Sequence, residues 1–144
     1  MAVKPIPDGY HTVTPYLLVR GVRRQLEFVQ QAFDAEIKFQ MPRPDGEMAH
    51  AEFRVGDSMV MCGQASDAHP PLPAMLYLYV KDVDAVFAKA VAAGGEVVRP
   101  VTDQFYGDRS GGVKDPCGNQ WWVSTHVEDV SPEEMARRAA AHGK

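Results

Sequence analysis

"PYLLVRGVRRQLEFVQQAFDAEI" fills residues 15–37, and "LYLYVKDVDAVFAKAVAAGGEV" fills residues 76–97. Each stretch reads as an apolar strand, a short polar break, an amphipathic run, a small turn and a β-branched residue. Tyr16 and Tyr77, Val19 and Val80, and Val22 and Val83 all stand 61 positions apart, while Glu36 and Glu96 stand 60 apart, which implies one gap. The chain contains a two-fold internal repeat, and two units are too few to stack as a solenoid.

Reading outward from each copy completes a module. Residues 1–9, "MAVKPIPDG", are rich in turn formers, and "HTVTPYLLV" reads as a strand with Pro15 marking an edge or a start. Val22, Leu26, Val29 and Phe33 fall at helical spacing. "AEIKFQM" is a second strand and "PRPDGE" a hairpin turn. "MAHAEFRV" alternates, with Ala51, Phe53 and Val55 on one face and His50, Glu52 and Arg54 on the other. "MVMCG" follows as a buried strand, and "QASDAHPPLP" at 64–73 is the one linker candidate. The pattern then restarts: "AMLYLYV" is a strand, and a helix runs from an Asp82 cap to a Gly94-Gly95 stop. "EVVRPV", a glycine-broken strand within "QFYGDRSGGVKD" and "NQWWVSTH" complete the second unit. In "SPEEMARRAAAHGK", Ser131 caps a tail helix, with Pro132 at its first position and Glu134 three residues after the cap. This order predicts an α+β fold. Two βαβββ modules, 10–63 and 74–126, form a curved mixed sheet around a cleft; 127–144 adds a C-terminal helix, and 1–144 is one domain.

Composition narrows the functional classes. The chain has 144 residues, 45% apolar and 24% charged, with a formal charge of −4. A domain of this size hides roughly 70% of its unfolded surface and needs no staple. No basic stripe is present that could displace phosphate counterions, so no nucleic-acid partner is expected. Arg23-Arg24 and Arg137-Arg138 read as solvated helix faces. Cys62 and Cys117 match no metal spacing. No stretch approaches the ~18 apolar residues of a membrane helix, and a soluble cytoplasmic protein is expected. No G-x-S-x-G elbow, P-loop or G-x-G-x-x-G run occurs.

The motifs "TVTPYLLV", "PDGEMAHAEFRVGDSMVM", "LYLYVKDVDAVFAKAVAAGGEV", "FYGDRSGGVKDPCGNQW" and the closing "SPEE" resemble the vicinal oxygen chelate superfamily of glyoxalases, bleomycin-resistance proteins and dioxygenases. More narrowly, they resemble its PhnB-like branch. The resemblance spans about residues 11–125 and implies paired modules and a homodimer. Enzymes of that superfamily hold a divalent ion on His, Glu or Gln from the first and last strand of each module. Counting from Val19, Val80 and Gly118 assigns those positions to Thr14, Met61, Met75 and Trp122. A hydroxyl, two thioethers and an indole are poor partners for such ions. The resemblance thus delivers a cavity but neither metal nor other cofactor. His50 and Glu52 with His11 or His126 are the remaining way to hold an ion.

The expected function is metal-independent binding of a small organic molecule, hydrophobic or aromatic, without turnover and so with no catalytic residue. The alternative is a metal-dependent lyase or dioxygenase of the same superfamily with atypical ligands. The candidate ligand-binding residues are His50, Glu52, Met61, Met75, Tyr106, Arg109 and Trp122. Met61, Met75 and Trp122 offer an apolar, polarizable floor. Trp121 and Trp122 must point to opposite faces of their strand, one under a helix and one toward the cleft. Arg109 either clamps a ligand oxygen or pairs with Asp108 or Asp115. His50 and Glu52 either line the cleft as a polar rim or form an exposed hairpin face.

Overall fold

The structure, a computed structural model, describes residues 2–143. The first repeat contributes β1 (Tyr16–Val19), α1 (Val22–Phe33), β2 (Glu36–Pro42), β3 (Met48–Val55) and β4 (Ser58–Gln64). The second contributes β5 (Met75–Tyr79), α2 (Val83–Ala92), β6 (Glu96–Asp103), β7 (Asp108–Lys114) and β8 (Gln120–His126), and α3 (Pro132–His142) follows. Each repeat builds its own four-stranded mixed sheet, in the orders β1-β4-β3-β2 and β5-β8-β7-β6. The first strand of each repeat pairs in parallel with the last, and the other neighbours are antiparallel.

Local chemistry sets the element ends. Gly21 opens α1 in a left-handed conformation (φ 105°) with no side-chain cap of its own. The Gln64 side chain supplies one from β4, its Oε1 accepting from the Gly21 and Val22 N–H groups at 3.2 Å. Asp82 caps α2 by accepting from the Ala85 N–H, and Ser131 caps α3 by accepting from the Glu134 N–H, as the sequence pattern predicts. Two expectations need correction. Residues 11–14 stand outside β1, where Thr14 Oγ1 donates to the His11 carbonyl, so the strand starts at Tyr16. β7 runs unbroken through Gly111 and Gly112. A Cβ at Gly111 would lie 2.9 Å from the Phe87 ring, and one at Gly112 2.7 Å from the Trp122 ring. These glycines make room for aromatic rings on the two faces of the strand.

A single core joins the repeats. Leu17, Val19, Phe28, Val29, Phe53 and Cys62 of the first repeat cluster with Ala90, Val113 and Trp121 of the second. α1 packs on β3, β4 and α2, while α2 packs on β6, β7 and β8. The Phe33 ring of α1 meets Trp121 of β8 at 5.0 Å. One polar hub lies within this apolar contact. Asp115 Oδ2 accepts from Gln25 Nε2 at 2.7 Å and from Trp121 Nε1 at 2.8 Å. Its Oδ1 accepts from the Cys117 and Asn119 N–H groups, and Asn119 Nδ2 donates to Gln25 Oε1. Every member of this buried network has a partner, which makes it a specific joint between α1 and the β7–β8 turn. Among the described residues, no helix is long and apolar enough to cross a membrane.

Candidate ligand-binding faces

Side chains alternate along a strand, so each sheet presents a second face away from the shared core. On the first sheet the register aligns Tyr16, Met61, Glu52 and Phe39 in one row across four strands. Leu18, Gly63, His50 and Met41 form the next row. A Cβ at Gly63 would stand 2.3 Å from the Tyr16 hydroxyl, so the missing side chain lets the phenol lie across β4. The phenol then reaches His50 Nδ1 at 3.2 Å, and His50 Nε2 contacts Glu52 Oε2 at 2.9 Å. The tautomer that satisfies both partners carries its proton on Nε2, donating to Glu52 and accepting from Tyr16. His50 and Glu52 side chains are each 18% exposed.

On the second sheet the matching rows are Tyr77, Trp122, Gly112, Arg99 and Tyr79, Ser124, Ser110, Thr102. The Trp122 ring lies against Gly112, the Arg99 guanidinium carbon is 4.6 Å from the ring centroid, and Arg99 Nη2 donates to Ser110 Oγ at 2.6 Å. At one end of this face the buried Asp108 carboxylate accepts from both Tyr77 and Tyr79 hydroxyls, at 2.8 and 2.9 Å. His126 Nδ1 lies 2.9 Å from its other oxygen. Burial works to raise the Asp108 pKa, but the bonds from His126, Tyr77 and Tyr79 outweigh it and hold the carboxyl below its ordinary value. Burial, joined by Asp108 and Tyr106 and opposed by a hydrogen bond from Ser124, pushes the Tyr77 phenol up to about 12.

A groove of about 820 Å³ opens between β1 and β5, the edge strands of the two sheets, where Tyr16, Phe33, Met75, Tyr77, Tyr79 and Trp121 line it. Tyr16 and Tyr77, the same position of the two repeats, both reach it.

The candidate residues fall into two groups. His50, Glu52 and Met61 share the first sheet's outer face, with His50 and Glu52 bonded to each other. Met75 and Trp122 share the second sheet's outer face, and Tyr106 approaches it from the turn before β7. Trp121 is 1% exposed in the core, so the two tryptophans do diverge. Arg109 turns to the helix side of β7, where Asp84 holds it at 2.9 Å through two nitrogens and Asp103 at 3.2 Å. It makes an ion pair, but with neither expected partner. Asp108 points to the opposite face, and Asp115 is committed to the hub. The in-register neighbour of Met61 is Tyr16, and that of Trp122 is Tyr77; Thr14, counted as a first-strand position, lies just before β1. Thr14, Met61, Met75 and Trp122 with these two neighbours offer a hydroxyl, two thioethers, an indole and two phenols. With the Tyr77 phenol pushed upward, this set does not suit a divalent ion. Tyr79, Arg99, Asp108, Ser110 and Ser124 were not among the sequence candidates.

Comparisons with known proteins agree with this geometry. The Mb0911c protein of Mycobacterium bovis is 34% identical over 142 residues, covering 91% of this chain and 93% of that protein. TioX from Micromonospora sp. ML1 superposes with a TM-score of 0.70 at 24% identity, over 81% of this chain and 99% of TioX. The PhnB protein from Bacillus cereus gives 0.66 at 22% identity, over 80% of this chain and 99% of that one. The description of the Glyoxalase/Bleomycin resistance protein/Dioxygenase superfamily matches residues 10–123. With two βαβββ repeats and a match across most of its length, this chain belongs to the Glyoxalase/Bleomycin resistance protein/Dioxygenase superfamily.

Proposed function

We propose that the protein is a metal-independent binder of a hydrophobic or aromatic small molecule, acting as a cytoplasmic homodimer. The observation that carries this reading is the exposed apolar surface at the β1–β5 groove: Met75 and Tyr79 are each 65% exposed, Tyr16 51% and Tyr77 42%. Aromatic and thioether groups left open beside a concavity form a binding surface for a planar apolar ligand. The modules 10–63 and 74–126 serve as two halves of one domain, each presenting an outer face. A second copy would bring the first face of one chain against the second face of its partner. The free thiols of Cys62 and Cys117 fit a reducing compartment.

The second reading, a lyase or dioxygenase, is favoured by one arrangement: the Tyr16–His50–Glu52 chain could move a proton. Chelator-treated protein, screened by thermal shift against a small-molecule library, separates the two. Stabilisation that grows with ligand concentration and is indifferent to chelator supports the binder. A stoichiometric transition metal whose removal abolishes binding or turnover overturns it. Light scattering after size exclusion measures the dimer.

A further inference from the structure

Among the described residues, two buried side-chain polar atoms have no hydrogen-bond partner: Arg99 Nε and Ser124 Oγ. Buried polar groups are nearly always satisfied, so each orphan calls for an explanation. Both lie on the outer face of the second sheet, in adjacent rows on strands joined through β7. Ser124 is 0% exposed, and the nearby Tyr77 oxygen, which gives its own proton to Asp108, is free to accept one from Ser124, so Arg99 Nε is the firmer orphan. Arg99 is half-buried and, among the described residues, has no carboxylate within ion-pair distance. Its contacts are the Ser110 hydroxyl and the Trp122 ring. A partly desolvated guanidinium without a counter-ion, its Nε unpartnered, is organised for a group that brings negative oxygen.

We propose that Arg99, Ser110 and Ser124 form an oxyanion subsite, and that the small molecule of the preceding section, on which this inference rests, carries a carboxylate or phosphonate on an aromatic frame. The frame lies against Tyr77, Tyr79 and Met75, whose exposed surfaces border the same face. The oxyanion enters where the Trp122 ring rests on Gly112. That ring is partly exposed, and its Nε1 donates to Gln120 Oε1 at 3.0 Å. Binding lifts it from Arg99 and opens the unpartnered Nε to the ligand. Trp121, fixed in the core by Asp115, does not move.

The test uses the full chain and four probes on one ring: 2-naphthoate, naphthalene-2-carboxamide, 2-naphthylphosphonate and 2-naphthylmethylamine. Binding is followed by calorimetry and tryptophan emission. A charged hydrogen bond contributes enough to change affinity by about 10- to 100-fold. An oxyanion probe is therefore expected to bind at least about tenfold tighter than the carboxamide and to shift Trp122 emission. The carboxylate and phosphonate arms tell which oxyanion fits. Arg99→Gln should erase the preference for oxyanion over carboxamide. Ser124→Ala should weaken oxyanion binding. Equal affinity for oxyanion and carboxamide, or a preference for the amine, overturns the subsite while the small-molecule reading stands. Absence of binding by all four probes overturns both.

Discussion

Removing the Asp115 carboxylate should loosen the joint between the two repeats. The carboxylate accepts four hydrogen bonds of 2.7 to 3.0 Å, from Gln25 Nε2, Trp121 Nε1 and the Cys117 and Asn119 N–H groups. Gln25 and Asn119 are 0% exposed, and Trp121 is 1% exposed. In Asp115→Ala the Gln25 and Trp121 donors lose their acceptor where water has little access, each at about 1–3 kcal/mol. The turn loses two further bonds, partly recovered by water. Against this, a buried charge is no longer desolvated, which offsets part of the loss. The net expectation is about 4 kcal/mol, which for a chain of this length corresponds to a fall of about 10 °C in melting temperature. Circular dichroism melts at neutral pH measure it. A double-mutant cycle with Gln25→Ala should give a coupling of about 1 kcal/mol or more. A fall of less than about 3 °C, or strict additivity of the two substitutions, would refute the hub as the joint.

Other outcomes follow from the same contacts. Hydrogen bonding to Asp108, then to Asp129, holds the His126 pKa above its ordinary 6.5. Its stabilisation is complete below pH 6.5 and fades as pH rises through the folded value, whereas that of Asp108 is complete above the ordinary carboxyl value and fades as pH falls through its lowered one. An NMR titration showing His126 at or below 6.5 contradicts this. Gly112→Ala places a methyl 2.7 Å from the Trp122 ring. It should cost about 1–3 kcal/mol and change Trp122 emission, and an unchanged spectrum with full stability would count against the packing. Arg109→Ala removes an ion pair on the helix side and should change stability by under about 1 kcal/mol. Ligand affinity in that variant should be unchanged; a large loss would return Arg109 to the binding face.

Most of the fold was legible because the repeat carries its own punctuation. Asp82, Ser131 and the Pro-Asp-Gly turn act within a few residues of themselves, so propensity and capping identify them. The site was less legible because it depends on register across strands. Counting along the chain named Met75 and Trp122 without their neighbours, whereas strand register sets Trp122 beside Tyr77 and Met75 beside Gln120. The repeat spacing alone could not supply that register, because Thr14 and Met75 stand 61 apart just as Tyr16 and Tyr77 do. Arg99 was missed for another reason. In "EVVRPV" it looks like one polar residue in a strand, and only the folded sheet sets it beside Trp122 and Ser110. Arg109 was over-read because its glycine-rich loop suggested a ligand clamp, while its true partners come from α2 and β6.

The Gln25–Asp115 contact also bears on the ancestry of the duplication. Sixty-one positions from Gln25 stands Val86, and 60 positions before Asp115 stands Val55, so neither half carries both the amide and its acceptor. The halves have diverged into complementary parts, like a left and a right hand. A chain assembled from two copies of either one would bring apolar residues to one side of that seam and leave the other side's polar group stranded.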